Sequence, residues 1–188
     1  MKLRWIALAA LCLMVASVAR TGAQAAKKAN FSGTWVLNMH KSRLGMPAVP
    51  VGGIWVIEHK GTKFRLERTD IYRSGLHDTR TIDLVTDGKQ ETIQQDGPYH
   101  EVSRMYWAGN ALVLDTKITT SDGTKETAEG RTVVRYTLSA DGKTLTATEH
   151  NQVPDAKWSS RWVFYRQANK KSQVHPARKA TPTAQERK

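Results

Sequence analysis

From Gly33 to Arg166 apolar and polar residues alternate with a period of two, the pattern breaks at glycine-containing dipeptides, and no window carries a helical period. Such a chain places successive side chains on opposite faces of extended strands, so it must fold as sheet. Ten stretches read as strands: 33–38, 53–59, 62–69, 79–86, 89–95, 99–107, 111–119, 125–139, 143–150 and 157–166. Lys60-Gly61, Asp87-Gly88, Gly109-Asn110 and Asp141-Gly142 read as tight hairpins. All four fall on alternate connections, and so at one end of the strands. The connections at the other end, 39–52, 71–78, 96–98, 120–124 and 151–156, are mostly longer. A meander exposes two edge strands unless it closes on itself. The expected fold is therefore an all-β, antiparallel up-and-down barrel of about eight to ten strands, sealed at the hairpin end and open at the other. The connection 39–52, with Gly45, Pro47, Pro50 and Gly52, reads either as a lid-like loop across the mouth or as an irregular crossing.

Alternation also sorts the side chains, because the set with the larger apolar residues must face inward. That set comprises Trp35 and Leu37; Phe64 and Leu66; Ile82 and Leu84; Leu112, Leu114 and Ile118; Val134, Tyr136 and Leu138; and Trp158, Trp162 and Phe164. The strands 53–59, 89–95 and 99–107 are ambiguous. Trp55 and Ile57 compete with Ile54 and Val56, and Met105 and Trp107 compete with Val102 and Tyr106.

Lys2 and Arg4 precede an apolar run from Trp5 to Val18, and Ala23-Gln24-Ala25 offers small residues for cleavage, so residues 1–25 read as a secretory signal peptide. The run is too short, and ends too soon at Arg20, for a membrane span. The expected location is secreted or periplasmic. The only cysteine, Cys12, lies inside the signal, which leaves the mature chain without a thiol for a disulfide, a metal or a nucleophile. Residues 26–166 then form one barrel domain whose stability rests on burial. Loss of Lys2, Arg4 and Arg20 takes the formal charge from +12 to +9. Residues 167–188 hold much of the remainder and read as a disordered tail. Its Lys170, Lys171, Arg178, Lys179, Arg187 and Lys188 either serve as a solvated solubility tail or attach to an anionic envelope surface. Nucleic acid is not an expected partner, since no aromatic-basic stacking motif accompanies the charge. The chain is expected to act as a monomer.

The run Phe31-Ser-Gly-Thr-Trp-Val-Leu-Asn-Met-His-Lys-Ser42 resembles the first strand of lipocalin-like proteins, which carry Gly-x-Trp. More narrowly, it resembles a group of small secreted bacterial barrel proteins that begin with the same run. The resemblance implies a barrel that holds a small apolar ligand, and it brings no catalytic residue. It also implies that a last-strand arginine, here Arg166, covers the indole of Trp35 beside Gly33 as a structural clamp through a cation–π contact. Unlike the ten-stranded fatty-acid-binding proteins, the chain lacks room for a helix pair in 39–52.

Inward parity carried toward the open end yields the candidate ligand contacts. Arg68 continues Phe64 and Leu66, and Arg80 precedes Ile82 and Leu84. If Val102 and Tyr106 face inward, His100 and Arg104 join them, and Tyr136 and Trp162 complete the set. An apolar cup with arginines at its mouth suits an amphipathic anion such as a fatty acid. The same arginines are also accounted for as wet rim residues paired with Glu67, Asp70 or Glu149, and aromatic side chains can fill a small barrel. No Gly-x-Ser-x-Gly, His-Glu-x-x-His, P-loop or Gly-x-Gly-x-x-Gly motif occurs. A pair such as His100 and His150 could meet across the mouth, yet no metal or other cofactor is expected. The sequence thus points to a non-catalytic binding protein. A filled barrel acting as an envelope-associated interaction module is the first alternative, and a lipocalin-fold enzyme the second.

Overall fold

The computed structural model describes residues 28–97, 99–121, 126–153 and 156–168. The expected signal peptide and the six basic tail residues lie outside the described residues. The strands are β1 (Gly33–Leu37), β2 (Arg43–Leu44), β3 (Gly52–Lys60), β4 (Lys63–Ile71), β5 (His77–Val85), β6 (Glu91–Asp96), β7 (Tyr99–Ala108), β8 (Ala111–Ser121), β9 (Glu126–Leu138), β10 (Thr144–Val153) and β11 (Ala156–Arg166). They form a single antiparallel sheet in the order β5-β4-β3-β1-β11-β10-β9-β8-β7-β6, with β2 paired to β11. This is the expected meander, ten long strands rolled into a nearly closed barrel. Closure falls between β5 and β6, which share no backbone ladder. Side chains bridge them instead: the Thr92 hydroxyl donates to the Asp83 carbonyl at 2.9 Å and the Gln94 amide to the Thr81 carbonyl at 3.1 Å.

The inward sets fall largely as parity requires, except that Trp158 joins neither core nor cavity and lines a surface groove with His150 and Ser159; β3 and β7 resolve. Trp55 and Ile57 are buried while Ile54 is 40% exposed. On β7, Ser103 and Met105 are buried, which turns His100, Val102, Arg104 and Tyr106 to the outer side. The expectation that His100 and Arg104 face the cup is therefore corrected. Met105 fills the core against Leu114, its cross-strand partner, and the hydroxyl of Ser103 is satisfied by Thr116 at 2.9 Å, so a small polar residue tolerates the inner face.

The strands also run further toward the open end than alternation indicates. β10 and β11 reach Val153 and Ala156 and β6 reaches Asp96, while β7 starts at Tyr99 as expected, so two of the open-end connections are as short as the hairpins opposite. Gln94 to Asp96 and Glu149 to Gln152 carry polar residues on both faces, and a backbone ladder needs no apolar side chain to continue.

The hairpin end is sealed by a ring cluster. Phe31 is fully buried, with ring centroids 6.0 Å from His59, 6.5 Å from Phe64 and 6.1 Å from Trp107. Burial pushes the His59 imidazole below its ordinary value of 6.5. Protonation thus favours the unfolded chain, and stability present above the unfolded value is lost as pH falls through it toward the depressed folded value. His59→Phe should reduce the stability difference between pH 7 and acid conditions in chemical denaturation; an unchanged difference would clear His59 of that role.

Beside this cluster lies the expected clamp contact. The Arg166 guanidinium sits 4.2 Å from the Trp35 ring, directly across the β1–β11 ladder, and donates to the carbonyls of Gly142 at 2.9 Å and of Ser32. A Cβ at Gly33, whose φ is +144°, would lie 2.7 Å from that guanidinium, so this close approach requires glycine.

The motif's far end has its own role. Ser42 donates its hydroxyl to the Asn38 carbonyl at 2.7 Å and accepts the Val163 amide at 3.0 Å, which supports β11 where β1 turns away. The chain then rejoins β11 as β2, with Leu44 opposite Ser160. Met39, Leu44 and Met46 pack against the core. The connection is thus a strap seated along β11 and packed against the core.

Candidate functional site

Aromatic residues fill only one side of the barrel. Trp55 packs 4.2 Å from Phe164, 5.8 Å from Trp162 and 6.3 Å from Tyr136 between centroids, beneath the strap. Toward β4–β9 the interior stays open as a cavity of about 510 Å3. Leu66, Ile82, Leu114, Ile118, Val134 and Tyr136 supply its apolar wall, and Gln94, Ser103, Thr116 and Thr132 its polar wall. Arg68, Asp78, Arg80 and Glu149 stand at the mouth, where they also line a vestibule of about 250 Å3 together with Met46, Asp70 and Tyr72.

Parity builds this site. Phe64, Leu66, Arg68 and Asp70 lie on one face of β4, Asp78, Arg80, Ile82 and Leu84 on one face of β5, and Leu145, Ala147 and Glu149 on one face of β10. In register, Arg68 stands between Trp55 of β3 and Arg80 of β5. Of the expected ligand contacts, Arg68, Arg80 and Tyr136 line the cavity. Trp162 stands behind Arg68. His100 and Arg104 lie outside it, His100 3.3 Å from the Gln95 side-chain oxygen and Arg104 3.9 Å from Glu91. His150 bonds Ser159 at 2.8 Å on the outer face of β10, so it does not meet His100 across the mouth.

The electrostatics of the mouth differ from the expected arginine collar. Both Nε and Nη2 of Arg68 lie 2.8 Å from Asp70 Oδ2, and the guanidinium stacks 4.5 Å from the Trp162 ring and 5.2 Å from the Trp55 ring. Asp70 is only 4% exposed. Burial raises its pKa, and the Arg68 charge opposes that rise. Arg80 lies 3.5 Å from Asp78. Glu149 accepts the Trp162 indole N–H at 2.7 Å. Burial raises the Tyr136 pKa far above its ordinary value, which keeps the phenol neutral. Arg68 is thus fixed by stacking and by the Asp70 carboxylate, as the rim-pairing alternative expected; Asp70 and Glu149 were named there only as partners of the arginines, and Asp78 was not named. Their signal was present: each shares the inward parity of its apolar strand neighbours.

No protein-family model and no curated protein matches the chain. Among solved structures it is similar to zebrafish ileal bile acid-binding protein complexed with cholic acid, at 14% identity over 73% of this chain and 98% of that one, with a TM-score of 0.47. It is similar also to wild-type fluorescent protein UnaG, at 15% identity over 73% and 97% with a TM-score of 0.47. Secretory abundant heat soluble protein 4 from Ramazzottius varieornatus follows at 14% identity over 73% and 95%, with a TM-score of 0.46. At these values the cholic acid belongs to the zebrafish protein alone, and the barrel is established by the strand pairing of this chain.

Proposed function

We propose that this protein is a non-catalytic carrier that takes one small apolar or amphipathic molecule into the barrel. The observation that supports the reading is the cavity of about 510 Å3, which has an apolar wall, charged groups toward its mouth and an opening to solvent. That volume lies inside the usual range of roughly 300–1,000 Å3 for small-molecule sites. The apolar body of the ligand rests on Leu66, Ile82, Leu114 and Val134, and its polar end faces Arg68, Arg80 and Glu149. A filled barrel would leave no such space, which disfavours the interaction-module alternative as the main role.

Ile118→Trp tests this reading, because the new indole projects into the cavity from a half-buried position. Titration with a fluorescent alkyl probe should show saturable binding to the wild type and none to the variant, with little change in thermal midpoint. Equal binding by both proteins would place the probe elsewhere and refute the assignment.

We extend the proposal to place and partner. The protein is exported and cleaved after Ala25, and Lys170, Lys171, Arg178, Lys179, Arg187 and Lys188 draw the loaded barrel to anionic head groups. Truncation after Gln167 should abolish binding to anionic liposomes at low salt, where the intact chain binds and is released by high salt. Unchanged binding by the truncated chain would remove the tail from the reading.

A further inference from the structure

The charge inventory of the mouth says what kind of polar end the ligand carries, and this step rests on the carrier reading above. Among the described residues lining the cavity and its vestibule, four carboxylates (Asp70, Asp78, Glu101 and Glu149) face two guanidiniums, those of Arg68 and Arg80. Arg68 is held by Asp70 and by two indole faces, and Asp78 lies against Arg80. Glu149 is different. Trp162 donates one hydrogen bond to its Oε2, and its Oε1 has no hydrogen-bond or ion-pair partner among the described residues. No cation neutralises it there, although it stands half-buried above an apolar wall. Asp70, by contrast, is nine-tenths buried and already served by the Arg68 guanidinium and the Trp55 indole.

A half-buried carboxylate with an open oxygen is costly unless a donor or a positive charge reaches it. An incoming carboxylate would meet this site with like charge and would have to compete with Asp70 for Arg68. We propose that the ligand is an amphiphile with a cationic, hydrogen-bond-donating head, an alkyl- or arylalkyl-ammonium, and that Glu149 is its acceptor. The ammonium donates to Glu149 Oε1 at the mouth, its remaining donors meet water or the Asp78 carboxylate in the vestibule, and the chain lies on Leu66, Ile82, Leu114 and Val134. This reverses the sign of head group that two mouth arginines suggest in the sequence.

Calorimetric titration of the intact protein at neutral pH with decylamine, decanoate and decanol, which share a tail and differ in head charge, tests the proposal. Decylammonium should bind saturably at one site and more tightly than either of the others. Glu149→Gln keeps an acceptor for the Trp162 N–H and removes the charge, so it should weaken decylammonium by about tenfold or more, the scale of a hydrogen bond to a charged group, and should leave decanol unchanged. Tighter binding of decanoate by the wild type, or an unchanged decylammonium affinity in Glu149→Gln, would overturn the ammonium assignment. Binding of decanol with rejection of both charged amphiphiles would overturn it too while leaving the carrier reading intact. Saturable binding of none of the three would overturn both. The comparison among amphiphiles needs only the wild type, so it stands even where the variant fails to fold.

Discussion

Trp35→Ala is expected to destabilise the barrel by about 3–5 kcal/mol, the usual cost of removing a large aromatic residue from a packed core. Trp35 is fully buried, its indole N–H donates to the Phe31 carbonyl at 2.9 Å, and its ring carries the Arg166 guanidinium. Arg166→Ala removes that cation and leaves the carbonyls of Ser32 and Gly142 without their side-chain donor, so it too should destabilise, by less. The two losses should not add. The double variant should be more stable than their sum predicts by about 0.5–2 kcal/mol, the worth of a cation–π contact. Chemical denaturation of the wild type, both single variants and the double variant measures the coupling directly. Strict additivity would mean that the stacked pair contributes nothing as a pair, and the seam between first and last strands would need another explanation.

Trp162→Ala should have an effect of similar size, about 3–5 kcal/mol, for a different reason. Trp162 joins the filled and open halves of the barrel: it is fully buried, lies near Trp55 and Phe164, supports the Arg68 guanidinium and donates to Glu149. Trp162→Phe separates these contributions in part, because it keeps a smaller aromatic plate for Arg68 and deletes the N–H. It should cost about 1–3 kcal/mol, the penalty for leaving a buried polar partner unsatisfied. Glu149→Gln, which retains the acceptor, should cost less than Trp162→Phe. The reverse order would show that the Glu149 charge, rather than the hydrogen bond, supports the fold.

Particular residues show how far the sequence discloses this molecule. Alternation placed Trp35, Phe64, Leu112, Tyr136 and Phe164 inside, because apolar burial is the strongest local signal a strand carries. The Trp35–Arg166 contact was legible through the resemblance of the Phe31–Ser42 run to lipocalin-like first strands and the position of Arg166 on the last strand. β7 was not legible, since Val102 and Tyr106 compete with Met105 and Trp107, and the inward set also carries Ser103, whose hydroxyl finds its partner in Thr116 across the ladder. The sequence also showed Arg68 and Arg80 as a cationic mouth and offered Asp70 as one of three partners, but it did not show Asp78 beside Arg80. A charge is neutralised by whatever the register brings beside it, and register joins residues far apart in the chain: Glu149 faces a site whose arginines lie on β4 and β5.

Val36, Ile54 and Tyr165 form an outward apolar stripe, paired in register across β1, β3 and β11 and each 40% exposed, and this is the surface most able to compete with the cavity for an apolar probe. The decisive measurement is therefore the map of amide chemical-shift changes when isotopically labelled protein is titrated with decanol. The account predicts saturable changes centred on β4, β5 and β7–β9, around Leu66, Ile82, Leu114, Ile118 and Val134, with the stripe unmoved. Changes confined to Val36, Ile54 and Tyr165, with the cavity-lining amides silent, would contradict it.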